Sequence, residues 1–176
     1  MIWTSYESPL GPLTLIGGPR GLRNVYFPGR GPRRSEGDRD PAAFTDTTAQ
    51  LDEYFAGTRR TFELPLDLDG TAFQRRVWDA LRQIPYGGTT TYGTLARALG
   101  ASSDGDASAP QKVGWAIGRT PTPIVVPCHR VLAADGSLTG YLGGLHRKQA
   151  LLDLEAAGRP SPDIAGRWTQ RQLVLL

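Results

Sequence analysis

Short apolar runs separated by glycine and proline dominate the first part of the chain. Two runs rich in β-formers, Leu13–Ile16 and Leu22–Phe27, flank the segment GGPRG, a pattern that predicts a β-hairpin. Apolar residues then recur at helical spacing over 44–55. The segment TFELPLDLDG at 61–70 alternates apolar and polar residues, as an edge strand or a linker does. We predict a small α+β domain over residues 1–70.

Helical periodicity replaces these runs after residue 70. Thr71 is a candidate N-cap for a helix whose apolar side chains form one stripe. A second short helix is predicted from about 91 to 100, and a third over about 111–117. Short helices joined by a turn are typical of a helix-turn-helix. We therefore predict a mostly helical C-terminal domain over 71–158.

The last part of the chain mixes short strand signals with one more helix. The run IVV at 124–126 predicts a short buried strand, and VLAADGSLTGYLGG at 131–144 predicts a hairpin with an Asp-Gly turn. An amphipathic helix follows over 145–158, with Leu145 among its buried leucines, and residues 159–176 form a C-terminal tail. The predicted fold class is α+β, with a small α+β domain followed by a mostly helical one.

Composition narrows the class of protein. The chain has 176 residues, a hydrophobic fraction of 39% and a net charge of +3, which suit a globular protein with a real core. One cysteine forms no internal disulfide, and no leader pattern or membrane-spanning run is present in the sequence, so we expect a soluble, cytoplasmic monomer. Residues 1–70 carry 8 Lys and Arg against 10 Asp and Glu, whereas residues 71–155 carry 9 against 6. The second segment is the expected place for phosphate contacts.

The chain's only cysteine, Cys128, lies between Pro127 and His129 at the end of an apolar run. The thiolate is the nucleophilic form, and a thiol with an ordinary pKa of about 8.5 is mostly protonated at neutral pH, so catalysis needs an activating group. Neighbours on an extended chain point to opposite sides, so contact with His129 requires a bend or a water molecule. Glu155 is a candidate to orient the imidazole. The residues alone also allow a buried, unreactive cysteine, but one Cys and two His do not suit a metal site.

Four stretches of the chain closely resemble the O6-alkylguanine-DNA alkyltransferases, also called methylated-DNA–protein-cysteine methyltransferases. They are PCHRV at 127–131, TGYLGGLHRKQALLDLE at 139–155, GTAFQRRVWDALRQIPYGGTTTYGTLARALG at 70–100 and SPLGPLTLIGG at 8–18. The resemblance implies a DNA-repair protein that moves an alkyl (methyl) group from the O6 of guanine in duplex DNA irreversibly onto its own cysteine. It also implies a single turnover and no dissociable cofactor. A guanine O6 is unreachable inside a duplex, so the nucleotide is expected to flip out.

Residue roles follow from the resemblance. Cys128 matches the nucleophile, His129 the water-linked base and Glu155 the residue that orients the histidine. Tyr92 matches a catalytic tyrosine that helps to rotate the target nucleotide and to polarise its purine. The residues assigned to the substrate pocket are Trp115, Thr120, Val126, Pro127, Tyr141, Leu142, Gly143 and Gly144. The residues assigned to DNA binding are Tyr92, Gln111, Lys112, Arg119 and Arg130.

The helix expected to read DNA departs from the family pattern. Where the family typically has RAVGxAxxxNP, this chain has QKVGWAIGRTP at 111–121. Gln111 replaces an arginine that wedges into the duplex, and Thr120 replaces an asparagine that organises the active-site turn. Lys112 and Trp115 replace small residues, and the preceding loop carries two added acidic residues within 101–107.

These departures leave three functions open. The first is repair of alkylated guanine. The second is group transfer to or from an aromatic small molecule, with Trp115 and Leu142 as an apolar platform. Multiple turnover would then need a donor such as S-adenosylmethionine, although the sequence has no convincing glycine-rich nucleotide loop. The third is a non-catalytic nucleic-acid-binding module. The intact Cys-His-Glu set favours catalysis, and the resemblance favours repair.

Overall fold

A four-stranded sheet and one helix form the N-terminal part of the structure, a computed structural model that describes residues 1–31, 37–100 and 108–158. The sheet has the order β3-β2-β1-β4. Its first three strands are antiparallel neighbours, and the short fourth strand pairs parallel with the first. The strands are β1 (Ile2–Ser8), β2 (Gly11–Gly18), β3 (Gly21–Tyr26) and β4 (Asp38–Arg39). A 3₁₀ turn, Ala42–Phe44, leads into α1 (Thr45–Phe55).

The predicted hairpin is confirmed as β2 and β3, whereas β1 is a strand that the hydrophobic pattern does not reveal. Two of the buried positions of β1 are Thr4 and Tyr6. Because one of them is polar, the apolar alternation that signals a half-buried strand is weak. The segment at 61–70 forms only an isolated bridge, between Leu66 and Leu22 of β3. It runs along the sheet edge as a linker to the helices that follow.

Helices build most of the rest of the described chain. They are α2 (Ala72–Arg82), α3 (Tyr92–Ala98), α4 (Ala109–Ile117) and α5 (Leu145–Ala157). Thr71 caps α2 in a reciprocal capping box with Gln74, as its position predicts. Thr91 caps α3, and Gly158 ends α5 with a left-handed φ of 58°. No helix among the described residues is long and apolar enough to cross a membrane.

Two predicted elements are wrong, both near the cysteine. Residues 124–126 are not a strand but part of a tight turn, because Ile124 has a φ of 78° and the Val126 amide donates to the Thr122 carbonyl. Residues 131–144 turn at the Asp-Gly pair but form no hairpin, since β6 (Val131–Leu132) pairs parallel with β5 (Thr90–Thr91) instead. Leu145 is also wrong as a buried residue, being 39% exposed at the start of α5.

Buried side chains form two clusters, and α5 joins the first of them. The first contains the sheet, α1, and Leu151 and Leu154 of α5. The second contains residues of α2, α3 and α4 together with Val126 and Cys128. Although α5 falls within the second predicted domain, it packs on the N-terminal core. The acidic loop residues within 101–107 and the predicted tail at 159–176 lie outside the described residues.

Candidate active site

Two consecutive tight turns hold Cys128. Its amide donates to the Val126 carbonyl at 2.8 Å, and Pro127 between them has φ −80° and ψ 60°, the geometry of an inverse γ-turn. A 3₁₀ turn over Cys128–Arg130 follows, in which the Arg130 amide donates to the Pro127 carbonyl at 3.1 Å. Because the chain bends here rather than extending, Cys128 and His129 are both buried instead of pointing to opposite sides.

The strained residue Ile124 directs this segment into the interior. It is the only non-glycine residue with positive φ in the described chain, and this conformation costs a β-branched residue about 1–2 kcal/mol. Its side chain, 1% exposed, packs in the first cluster, while Val126 and Cys128 pack in the second. Strained backbone of this kind persists where the surroundings over-determine it, often at functional sites.

Cys128 is 3% exposed as a residue, and its thiol lies beside Thr120 and Lys148. Burial raises the pKa of the thiol to about 12, although a hydrogen bond with the Thr120 side chain, the charge of Lys148 and backbone hydrogen bonds all act to lower it. The Thr120 hydroxyl donates to the Ile117 carbonyl at 2.8 Å. A hydroxyl hydrogen rotates freely, so the same group is able to turn toward a thiolate when one forms. The resting form of Cys128 is therefore the protonated thiol.

His129 presents one free ring nitrogen within this buried site. Its Nε2 lies 2.8 Å from Glu155 Oε1, and since an ionised carboxylate only accepts, Nε2 carries the hydrogen. Nδ1 is then an acceptor, and it is buried without a hydrogen-bond partner among the described residues. Burial lowers the pKa of His129 and outweighs the opposing effect of Glu155. The imidazole is thus neutral, with a basic nitrogen available for a proton.

Glu155 is the most heavily bonded carboxylate of the described site. Besides His129, it accepts hydrogen bonds from the Tyr54 hydroxyl at 2.8 Å, the Gly87 amide at 3.1 Å and the Arg130 guanidinium at 2.8 and 2.9 Å. Burial alone would raise the pKa of Glu155, but the bonds from His129 and Arg130 prevail and lower it to about 2. Tyr54 belongs to α1, so the N-terminal part contributes directly to the network.

Arg130 lies in the interior rather than on the expected DNA-binding surface. Its side chain is 7% exposed, and its nitrogens are engaged by both oxygens of Glu155 and by the Ile84 carbonyl. A guanidinium that is buried in an ion pair with Glu155 is not available to a phosphate. In this structure Arg130 therefore balances the charge of Glu155 and holds α5 against the turn that follows α2.

Lys148 is the site residue that the sequence analysis missed. It is fully buried on α5, and its Nζ donates to the carbonyls of Val131 at 2.6 Å and Thr139 at 2.8 Å. Burial lowers the pKa of Lys148 to about 8, with Cys128 acting in the opposite direction. The available signal was its spacing: Lys148, Leu151 and Glu155 follow the i, i+3, i+7 pattern of one helix face, the face that enters the core.

Tyr92 connects this buried site to α4. Its hydroxyl donates to the Thr139 carbonyl at 3.4 Å, and the Lys148 Nζ lies 6.0 Å from the centre of its ring. A Cβ atom added to Gly114 of α4 would lie 3.6 Å from two carbons of the same ring. The absent side chain of Gly114 therefore allows α4 to rest directly on Tyr92.

The predicted pocket residues do not share one environment. Thr120, Val126 and Pro127 are buried around the thiol. Gly143 packs against protein rather than facing an open pocket, because a Cβ atom there would lie 2.8 Å from the ring of Phe27 and 2.9 Å from that of Tyr141.

A cavity of about 520 Å³ lies beside this loop. Leu142 and Thr120 line it together with Tyr26 and Arg119, but Trp115 and Cys128 do not. Gly144, with φ 86°, precedes α5, and the Tyr141 hydroxyl is buried without a partner among the described residues. Trp115 is the exception within the predicted pocket set, since it is 51% exposed on the outer side of α4.

The remaining residues assigned to DNA binding lie on the exposed side of α4. Gln111 and Lys112 are exposed there, and Arg119 follows just beyond the C-terminal end of the helix. The helix packs on α3 and α2 through its other side. Within the described residues, no cluster of three or more His, Cys, Asp or Glu side chains is arranged to hold a metal ion.

Two family models together match nearly all of the described chain. Residues 1–68 match the ribonuclease-like domain of 6-O-methylguanine DNA methyltransferase, and residues 72–157 match the DNA-binding domain of 6-O-methylguanine DNA methyltransferase. The chain is 46% identical over 161 residues to a methylated-DNA–protein-cysteine methyltransferase of Mycobacterium bovis, covering 90% of this chain and 94% of the relative. It is 42% identical to a protein of the same name from Methanosarcina acetivorans, covering 89% of this chain and 99% of that one.

A solved structure with a similar fold is known in complex with DNA. The crystal structure of Mycobacterium tuberculosis OGT in complex with DNA superposes with a TM-score of 0.84 at 45% sequence identity. The match covers 92% of this chain and 96% of that chain.

Proposed function

The chain belongs to the 6-O-methylguanine DNA methyltransferase family, and we propose that Cys128 accepts the alkyl group from the O6 of an alkylated guanine in duplex DNA. In this reaction the sulfur forms a bond to the alkyl carbon while the bond from that carbon to O6 breaks. The electron pair of the broken bond remains on the guanine, which takes up a proton to become ordinary guanine. The thioether product is stable, so each molecule reacts once.

The single observation that supports this proposal most strongly is the pairing of a buried thiol with a histidine held for proton transfer. Glu155 fixes Nε2 of His129 as the hydrogen donor and leaves Nδ1 as a free acceptor in the same buried turn as Cys128. The thiol proton passes to Nδ1, directly or through one water molecule, as the thiolate forms. The hydrogen bond to Glu155 then stabilises the imidazolium, just as a carboxylate does in other nucleophile-base-acid sets.

The surroundings of the thiol oppose its ionisation until a substrate is present. With the pKa of Cys128 at about 12 and that of His129 lowered, the free protein holds a neutral pair. Lys148 and Thr120 favour the thiolate, and Lys148 also lies close to Tyr92. As negative charge develops on the departing guanine, donors from Tyr92 and the nearby backbone stabilise it. A thiol of this kind reacts slowly with electrophiles in solution and quickly with an alkylated guanine that is bound beside it.

Duplex DNA is the proposed partner, and the reaction balances without a cofactor. The target nucleotide has to leave the base stack to reach a sulfur that is 3% exposed. Every group that the protein supplies comes from one chain, so a monomer suffices, and the proposed location is the cytoplasm. The proposed organisation has residues 1–70 as the N-terminal domain and 71–158 as the alkyltransferase domain. A hydrogen bond from Tyr54 to Glu155 joins the two. The small-molecule alternative has less support, since Trp115 lies apart from the cavity lined by Leu142.

Intact-mass spectrometry tests this function directly. The protein is mixed in excess with a duplex that carries one O6-methylguanine, and its mass is measured with time. We expect a gain of one methyl group on the protein and its loss from the oligonucleotide, with neither change in the Cys128→Ala variant. No adduct on the wild-type protein after prolonged incubation would count against the proposal.

A further inference from the structure

Helix α4 has one face in the core and one face open to solvent. Its buried residues are Ala109, Val113, Ala116 and Ile117. Its open face carries Gln111, Lys112 and Trp115, with Arg119 just beyond the helix end. At 3.6 residues per turn these four positions fall within an arc of about 100°. The open face is therefore a single continuous surface.

Trp115 is the unusual residue of this face. It is 51% exposed, and among the described residues the other large hydrophobic side chains exposed to a comparable degree are Met1 and Leu145. The opposite face of α4 already supplies the core contacts, so packing does not explain an indole here. The Arg119 guanidinium lies 3.8 Å from the centre of the Trp115 ring, which is a close cation–π stack. The pair therefore presents a neutral indole ring with a positively charged guanidinium stacked on one of its faces.

The charges around this pair suit a polyanion. Neither α3 nor α4 contains an acidic residue, whereas Arg97, Lys112 and Arg119 are exposed on or beside them. Of the described residues on this face, all the charged ones are cationic. Such a surface attracts phosphates, and an exposed aromatic ring within it provides a platform on which a base stacks.

The open face is also directly connected to the proposed reaction site. Gly114, next to Trp115, rests on the Tyr92 ring, and Tyr92 reaches the Thr139 carbonyl that Lys148 also contacts. The Trp115–Arg119 pair is thus carried by the helix that adjoins the proposed reaction site. A flipped nucleotide leaves an unstacked gap in the duplex, and inserted apolar or aromatic side chains fill gaps of this kind.

We propose that Trp115, backed by Arg119, inserts into the duplex beside the flipped guanine and stacks on the exposed bases. This inference rests on the proposed function. Trp115 supplies the stacking surface, Arg119 orients the indole and neutralises a phosphate, and Gln111 makes a lesser polar contact. The DNA-reading helix of this chain therefore inserts the aromatic side chain of Trp115, whereas the family typically inserts an arginine at position 111.

Single-turnover transfer rates on two substrates test the proposal. One substrate is a duplex with O6-methylguanine, and the other is free O6-benzylguanine, which needs no opening of a duplex and has a reactive benzylic carbon. We expect Trp115→Ala to slow transfer from the duplex about 10- to 100-fold, as loss of one stacking contact does, and to change the rate with the free base by less than about twofold. Trp115→Phe retains most of the duplex activity, and Gln111→Ala lowers it less than about threefold.

Trp3 provides a matched control, because it too lies beside an arginine, with the Arg39 guanidinium 6.0 Å from its ring, but in the N-terminal sheet. Trp3→Ala should leave both rates unchanged. Equal duplex rates for Trp115→Ala and the wild type would overturn the inference, as would an equal loss on both substrates, which indicates damage to the site itself. Failure of the wild type to react with the duplex would instead refute the proposed function, and with it the wedge.

Indole fluorescence gives an independent readout of insertion. In the Cys128→Ala protein no transfer occurs, so the complex with the methylated duplex persists. Stacking on bases quenches indole emission, and we expect a drop on binding that Trp115→Phe removes and Trp3→Phe does not. A drop that survives in the Trp115→Phe protein contradicts the proposal.

Discussion

The buried thiol site and the open face of α4 are built in opposite ways. Around Cys128, polar groups are buried and most of them are bonded to one another, with Glu155 accepting hydrogen bonds from four different residues and His129 Nδ1 left without a partner among the described residues. On α4, the side chains at 111, 112 and 115 face solvent, and the opposite face of the helix packs on α2 and α3. Substitutions at the first site are therefore expected to cost stability and reactivity together. Substitutions at the second are expected to change DNA contacts alone.

This difference explains where the chain departs from its family pattern. Of the four replaced residues within 111–121, three (Gln111, Lys112 and Trp115) lie on the open face, where a new side chain disturbs no packing. The fourth, Thr120, is buried beside the thiol, and there a hydroxyl still provides a hydrogen bond to sulfur. A buried network admits few replacements because each lost partner leaves another polar group unpaired.

The largest effect is expected from Glu155→Gln. This change leaves Arg130 as a buried, uncompensated charge, so we expect the free energy of unfolding to fall by about 3–5 kcal/mol and transfer to slow as His129 loses its anchor. Urea denaturation and single-turnover kinetics measure the two effects. Asp153→Asn on the same helix, where the carboxylate is exposed and contacts Gln149, should cost less than about 0.5 kcal/mol.

The difference in stability between the wild type and the Glu155→Gln variant depends on pH in a defined way. The pKa of Glu155 is about 2 in the folded state against an ordinary value of 4.5, so its ionisation stabilises the fold above pH 4.5. That contribution is lost as the pH falls from 4.5 through 2. The stability difference between wild type and Glu155→Gln should therefore shrink over this window, and a difference that stays constant down to about pH 2 contradicts the assigned network.

An intermediate effect is expected from Lys148→Met. Removing the ammonium raises the pKa of Cys128 further, so the pH profile for reaction with free O6-benzylguanine should move to higher pH. The rate at about pH 7 should fall about tenfold for every pH unit that the profile moves. The only other lysine, Lys112, is exposed on α4. Lys112→Met should leave this profile in place, and an unchanged profile in Lys148→Met would show that its charge does not act on the thiol.

The smallest effect is expected from Gln111→Arg. One more cation on the open face should tighten binding to duplex DNA by a few-fold. It should also steepen the salt dependence of that binding by the amount expected for about one additional phosphate contact. Stability should change by less than about 0.5 kcal/mol. Binding titrations over a range of salt concentrations measure this. A gain of about tenfold or more, or a strong effect on the duplex transfer rate, would show that position 111 rather than 115 is the main inserted residue.

Local patterns predicted the helices well: the apolar stripe and the Thr71 cap define α2. These predictions succeed because caps and periodicity are properties of a few neighbouring residues. The roles of Cys128, His129 and Glu155 came instead from the family resemblance of the stretches at 127–131 and 139–155, and the structure brings the three residues into one buried region. The turn at 122–128 was missed because an apolar, β-branched run normally predicts a strand, and tertiary packing here forces Ile124 into a left-handed conformation instead.

Charge pairing, burial and exposure were decided only by the tertiary structure. Arg130 and Lys148 look like surface cations in the sequence, yet each is buried against partners from another part of the chain, Glu155 for the first and the Thr139 carbonyl for the second. Trp115 looks like a core or pocket residue, yet it faces solvent. The sequence by itself determined which groups are available for the chemistry. Which of them meet depends on how distant segments pack, because electrostatic and hydrogen-bond partners are set by distances in space rather than along the chain.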